Sequence, residues 1–165
     1  MLSLEKTLRR QAQGSCLKID VGSEWANWAT PQILLREGKT SEARDAVKKV
    51  PSTARYYRDL LEAAVRLRLP AELNRIASEK ATLVAGGDDP ETSYQQGSIL
   101  AFAGKDQAAR HLIRIAIESN YCAYSALMND PLLANLCSLP DFKDLLKAAR
   151  LCQEPVLAQR NSNAN

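Results

Sequence analysis

Apolar positions recur at three- and four-residue spacing through most of the chain. Ala43, Ala46, Val47 and Val50 form one stripe, and Tyr56, Tyr57, Leu60, Leu61, Ala64, Val65 and Leu67 a second. Leu73, Ile76, Ala77, Leu83 and Val84 form a third, with Lys80 in register. This is the pattern of amphipathic helices with one face turned to a core. Pro51, Pro70 and the run AGGDDP at 85–90 separate the stripes, and each predicts a break. Trp25 and Trp28, three apart and on one face, open the helix before the first stripe. Pro31 predicts either a kink in that helix, at a cost of about 3 kcal/mol, or a fresh helix capped by Thr30. Thr40 or Ser41 is positioned to cap the next one.

The stretch Asp89 to Tyr121 carries a second order of spacing. Gly97 is followed after seven residues by Gly104, then after five by Ala109, four by Ile113 and three by Ala116. Small residues at these intervals fit two helices pressed together at Gly97 and Ala109, with Gly104 in a turn that a Cβ would resist. Gly38, Ala43, Val47 and Val50 repeat part of the spacing, although Pro31 stands in the slot that Gly97 fills. Turns at Gly38, Pro70 and Gly104 are 32 and 34 residues apart (70 − 38 and 104 − 70). A unit of that length cannot bury its apolar face alone and needs neighbours on either side.

The expected architecture is therefore all-α, a short solenoid of antiparallel helix pairs. A C-terminal capping pair starts at Asp130-Pro131 and again at Ser138 to Asp141, ending near Cys152, with Phe142, Leu145, Leu146 and Ala149 apolar. Residues 1–22 form an N-terminal segment in which Leu2, Leu4 and Leu8 suggest a short helix, 23–152 the repeat domain, and 153–165 a polar tail expected to be disordered.

Composition agrees with helix: 45% hydrophobic, 25% charged and only 5% aromatic residues in a chain of 165, enough for one domain. The net charge of +3 is uneven, since residues 1–85 carry 15 basic and 10 acidic side chains and residues 86–165 carry 7 and 9. Arg36, Lys39, Arg44, Lys48, Lys49, Arg55, Arg58, Arg66 and Arg68 are scattered at positions a helix turns to solvent. That favours a solvated face over a nucleic-acid surface, because no base-reading side chains repeat with the period.

Catalytic chemistry finds little support. His111 is the only histidine, so Cys16, Cys122, Cys137 and Cys152 have neither CxxC spacing nor histidine partners for zinc. No Ser-His-Asp set, HExxH motif or paired carboxylates are visible, and a thiol enzyme would need the fold to bring Cys and His together. The expectation is a non-enzymatic chain with no metal and no cofactor. No apolar run approaches the roughly 20 residues of a membrane span, and MLSLEKTLRRQAQ lacks the apolar centre of a signal peptide. A soluble, cytoplasmic protein is expected on these grounds.

The glycine and alanine spacing resembles the tetratricopeptide repeat family, firmly in one repeat and loosely in two across residues 24–121. The phrases LLREGKTSEA, YYRDLLEA, AIESNYCAYSALMNDPLLANL and FKDLLKAARLCQ resemble, over nearly the whole chain, the C-terminal repeat region attached to some bacterial serine/threonine protein kinases. The kinase glycine-rich loop, HRD and DFG are missing, so this likeness implies a regulatory module without transferase activity. It also permits an extracytoplasmic location in a membrane-anchored parent. In the repeat family one face of the first helix of each pair lines the inner groove. That implies Trp25, Trp28, Gln32, Leu35 and Arg36 in the first pair, and Glu91, Tyr94, Ser98, Ala101 and Phe102 in the clear repeat. The family's Lys/Asn/Arg clamp for a terminal carboxylate is replaced by Trp28 and Gln32, then Tyr94 and Ser98. Binding of a protein or peptide would then rest on aromatic and apolar contacts.

The same stack geometry brings two cysteines together. Cys122 follows the second helix of the clear repeat and Cys152 ends the second helix of the capping pair, so parallel neighbours would place them side by side. In a reducing cytoplasm they would be adjacent thiols, whereas outside it they could form a disulfide. A Cα separation of about 4.4 to 6.8 Å permits the bridge. Cys137 is expected at the opposite end of the stack.

Overall fold

The computed structural model describes residues 24–84 and 89–163, and among them every regular element is helical. The elements are α1 (Glu24–Arg36), α2 (Thr40–Val47), a 3₁₀ turn (Ser52–Ala54), α3 (Arg55–Ala64), α4 (Pro70–Lys80), α5 (Pro90–Phe102), α6 (Asp106–Glu118), α7 (Tyr124–Asn129), a 3₁₀ segment (Pro131–Leu136) and α8 (Pro140–Asn163). The helix expected near Leu2 to Leu8, Cys16 and residues 85–88 of the AGGDDP break lie outside the described residues.

In sequence order α1 packs on α2, α3 on α4 and α5 on α6, while α3 meets α5, α4 meets α6 and α6 meets α8. The most extensive of these contacts is α5 on α6. A Cβ on Gly97 would lie 3.1 Å from Ile113 Cγ1 and 3.2 Å from the Ala109 carbonyl oxygen, with Leu112 Cβ at 3.4 Å. Ile99, Leu100, Ala109, Ile113 and Ala116 are buried there and join one continuous core that runs from Leu35 to Ala149.

Four helices end in the same way. Gly38, Arg66, Gly104 and Asn120 have φ of 74°, 61°, 72° and 71°. Each is followed by a residue whose N–H reaches back five positions: Lys39 to Leu34, Leu67 to Glu62, Lys105 to Leu100 and Tyr121 to Ala116, at 2.7–2.8 Å. These are Schellman caps, which satisfy carbonyls that the helix leaves open. The left-handed residue of the second turn is thus Arg66 rather than a residue at Pro70. Successive turns at Gly38, Arg66 and Gly104 stand 28 and 38 residues apart (66 − 38 and 104 − 66).

Four local expectations are corrected. Of the two outcomes expected at Pro31, the fresh helix does not form, since α1 runs through the proline. Thr30 caps nothing there, because its hydroxyl donates to the Ala26 carbonyl oxygen one turn back, at 2.6 Å. Neither Thr40 nor Ser41 caps α2, which begins at Thr40 without a side-chain cap. The second stripe reaches Leu67 in sequence, but α3 ends at Ala64 because Val65 and Arg66 turn away. At the C-terminus α8 continues past Cys152 and Pro155 to Asn163, over Val156, Leu157, Ala158, Gln159 and Arg160, several of them good helix formers. A further short helix, α7, precedes the 3₁₀ segment.

Cys122 and Cys152 are joined by a disulfide, their Cα atoms 5.2 Å apart and 30 residues apart in sequence. It ties α8 to the turn after α6. Cys137 is a free, exposed thiol whose Sγ donates to the Leu133 carbonyl oxygen at 3.6 Å.

Candidate functional site

The side chains that converge most densely come from α1, α3, α5 and the start of the 3₁₀ segment. Arg36 Nη1 donates to Gln32 Oε1 at 2.8 Å, one helical turn back. Its Nη2 donates to Asp130 Oδ2, also at 2.8 Å. Tyr94 donates its hydroxyl proton to the same Asp130 oxygen at 2.6 Å, and the Leu132 N–H donates to Oδ1 at 3.0 Å. Gln32 Nε2 donates to the Tyr57 hydroxyl at 2.7 Å, which in turn donates to the Trp28 carbonyl oxygen at 3.3 Å. Asp130, with only 2% of its side chain exposed, therefore has both oxygens bonded.

Two ring pairs flank this network. Trp28 stacks on Tyr57 with centroids 5.1 Å apart and planes 11° apart. Tyr94 stacks on Tyr121 at 4.7 Å and 21°. Burial pushes the Tyr57 hydroxyl up to about 12, against the opposing pull of its Gln32 bond and the Arg36 charge. Burial raises Tyr94 further still, helped by its bond to Asp130. Burial opposes the charge on Arg36, but the bond to Asp130 and the charge of Asp130 prevail, so its pKa is raised.

Above this floor lies a groove of two adjoining cavities. The larger, about 610 Å³, is lined by Trp28, Gln32, Ile33, Arg36, Tyr57 and Glu91, with Ala29 and Gln95. The smaller, about 250 Å³, shares Trp28, Tyr57 and Gln95 and adds Arg55, Tyr56 and Gln96 among others. Trp28 is 37% exposed, Ile33 49% and Tyr56 84%, so the groove presents large apolar surfaces to solvent.

The expected groove residues are divided by the structure. Trp28, Gln32, Arg36 and Glu91 line the larger cavity, and Leu35 is buried in the core. The side chain of Trp25 lies outside the described residues. Tyr94 and Ser98 are buried, and the Ser98 hydroxyl donates to the Tyr94 carbonyl oxygen at 3.0 Å. Ala101 is buried too, while Phe102 lines a separate cavity beside Thr40, Arg44 and Leu73. The cause is Asp130 and the segment after it, which pack on α5 and occupy the face that Tyr94 offers.

Tyr56, Tyr57, Ile33, Gln95 and Gln96 were not among the expected groove residues. A signal for one of them exists in the turns. Trp28, Tyr56 and Tyr94 each stand ten residues before the left-handed residue that ends their helix, Gly38, Arg66 and Gly104. Counting from Pro70 hides that equivalence.

Other candidates are placed elsewhere. The His111 ring bonds the Leu83 carbonyl oxygen through Nε2 at 2.7 Å, which holds the end of the α4 segment on α6. Among the described residues no cluster of His, Cys, Asp and Glu could hold a metal ion, and no helix is long and apolar enough to cross a membrane. Several basic residues of the N-terminal half are partnered: Arg68 bridges Asp59, Glu62 and Glu72, Arg58 joins Glu62, and Arg44 donates to the Val65 carbonyl oxygen.

No protein-family model matches the chain, and no solved structure matches it.

Proposed function

We propose that this protein is a non-enzymatic interaction module, a short right-handed solenoid of antiparallel helix pairs that takes a peptide or protein surface in the groove of α1, α3 and α5. The observation that carries the proposal is the exposure of Trp28, Ile33 and Tyr56 around a floor whose polar groups are already bonded to one another. A rigid floor with exposed aromatic and apolar walls is the arrangement in which side chains of a partner lose water without large reorganisation. The ordering of the groove helices as the first of each pair also accords with the tetratricopeptide resemblance.

Among the described residues no cysteine is in contact with the histidine. Cys122 and Cys152 are bonded to each other, Cys137 bonds a carbonyl of its own segment, and His111 serves the backbone of Leu83. The likeness to the region appended to bacterial kinases makes a regulatory part of a signalling protein the natural setting. The Cys122–Cys152 bridge favours the extracytoplasmic form of that setting, since disulfides persist in oxidising compartments.

Affinity capture from the source cell with wild type beside Trp28→Ala and Ile33→Asp tests the proposal. A partner retained by wild type and lost with both variants is the expected result. Equal capture by all three, or turnover of a substrate by the pure protein, would overturn it.

A further inference from the structure

Three features of the groove are not explained by its apolar walls. Gln96 is 8% exposed and lines the smaller cavity, yet its Oε1 has no hydrogen-bond partner among the described residues. Buried polar atoms of that kind are rare and call for a partner. Glu91 lines the larger cavity and is exposed, bonded only by the Gln95 amide at 3.2 Å and in no ion pair among the described residues. Arg36 shares that cavity but is neutralised by Asp130, so a net negative charge remains there. Arg55 lines the smaller cavity, exposed and likewise in no ion pair among the described residues, which leaves a positive charge. The groove is therefore bipolar, with the Trp28–Tyr57 stack shared by its two halves.

We propose that its occupant is an extended peptide segment carrying a basic side chain for Glu91 and an acidic side chain for Arg55, with its backbone hydrogen-bonded by the Gln96 side chain. This rests on the peptide-groove function proposed above and specifies the ligand. A peptide backbone offers both N–H and C=O, so it satisfies the Gln96 amide in either orientation. A helical ligand would have spent those groups on its own bonds, whereas an extended one leaves them free. Alternate residues of an extended chain point the same way, which brings two charged side chains to one surface. Among the described groove residues a nucleic acid would find Arg55 as the one cation without an acidic partner, and its phosphates would be repelled by Glu91.

The test is NMR titration of the ¹⁵N-labelled full chain with capped pentapeptides of the form Gly-X-Gly-Z-Gly. X and Z are Lys and Asp in both orders, Lys twice, Asp twice, or Ala twice. A mixed-charge peptide should bind about fivefold more tightly than either same-sign peptide, as expected for partly exposed ion pairs. The double variant Glu91→Lys with Arg55→Glu should prefer the opposite order of charges, and both side chains are exposed, so the fold is retained. Gln96→Leu should weaken every peptide about tenfold. If same-sign or uncharged peptides bind as tightly as mixed ones at Trp28, Ile33 and Gln95, the charge assignment is overturned while the groove function stands. If no peptide shifts those residues, the groove function falls with it. Tighter binding of an oligouridylate at the same residues would overturn the peptide in favour of nucleic acid.

Discussion

Arg36 and Asp130 are 94 residues apart in sequence and 2.8 Å apart in space. The pair fastens the first groove helix to the segment that covers Tyr94. Asp130 is the more buried partner, and its removal leaves a guanidinium without its counter-charge. Asp130→Ala should cost about 2–4 kcal/mol, toward the lower end of values for broken buried pairs because Arg36 is partly exposed. Asp130→Asn, which keeps an acceptor for Tyr94, should cost less. Urea denaturation checks both, and a loss below about 0.5 kcal/mol for the alanine variant would show that the pair holds little together.

Helix packing in the α5–α6 pair depends on the absence of a side chain at Gly97. Gly97→Leu should cost about 1–3 kcal/mol by overpacking, since the backbone oxygen of Ala109 is among the atoms in the way. Gly104 is different: nothing lies within 4 Å of a Cβ there, and its φ is 72°. Gly104→Ala should therefore cost only the left-handed strain, about 1–2 kcal/mol. Arg66→Gly should move the other way and stabilise by about 0.5–1 kcal/mol, relieving the same strain at the cost of some backbone entropy. Denaturation midpoints of the three variants give the ranking.

Tyr57 predicts the alkaline limit of the fold. Its ordinary value of 10.0 is raised to about 12 by burial, so between those pH values the folded form holds a proton that the unfolded chain has lost. Stability is fully present below about pH 10 and falls as pH rises toward 12. Tyr94 shifts in the same direction and adds to the loss. Tyrosinate absorbance should lag behind a tyrosine model compound over this range and rise together with the loss of helical circular dichroism. Full tyrosine ionisation with the fold intact would contradict the buried placement.

The Cys122–Cys152 bridge closes a loop of 30 residues, worth roughly 3–4 kcal/mol in the chain-entropy model. Non-reducing peptide mapping should recover the two cysteines in one linked fragment, and a reductant should lower the midpoint of thermal unfolding. The variant Cys122→Ser with Cys152→Ser should match the reduced protein and respond to reductant no further.

Much of this architecture is legible in the sequence because it is local. Stripes such as Ala43, Ala46, Val47 and Val50 fix helix faces, and Gly38 and Gly104 mark left-handed turns that only glycine adopts cheaply. The turn at Arg66 is hidden because arginine carries no such mark, and Pro70 nearby draws attention to itself. α7 is too short, at six residues, for a helical period to stand out. The groove was half legible: Trp28, Gln32 and Arg36 follow from the resemblance to the tetratricopeptide repeat, but the burial of Tyr94 and Ser98 does not. That burial depends on Asp130, whose residue type announces a helix cap and says nothing of a partner 94 residues away.

Photo-crosslinking from within the groove tests the central claim most directly. A benzophenone side chain placed at Ile33, half-exposed beside Trp28, should form a covalent adduct with the partner in the source cell, and Trp28→Ala in the same chain should abolish it. The same group at Leu151, exposed on α8 and lining neither groove cavity, should form none. Equal adducts from both positions, or an Ile33 adduct unaffected by Trp28→Ala, would contradict a binding groove on α1, α3 and α5.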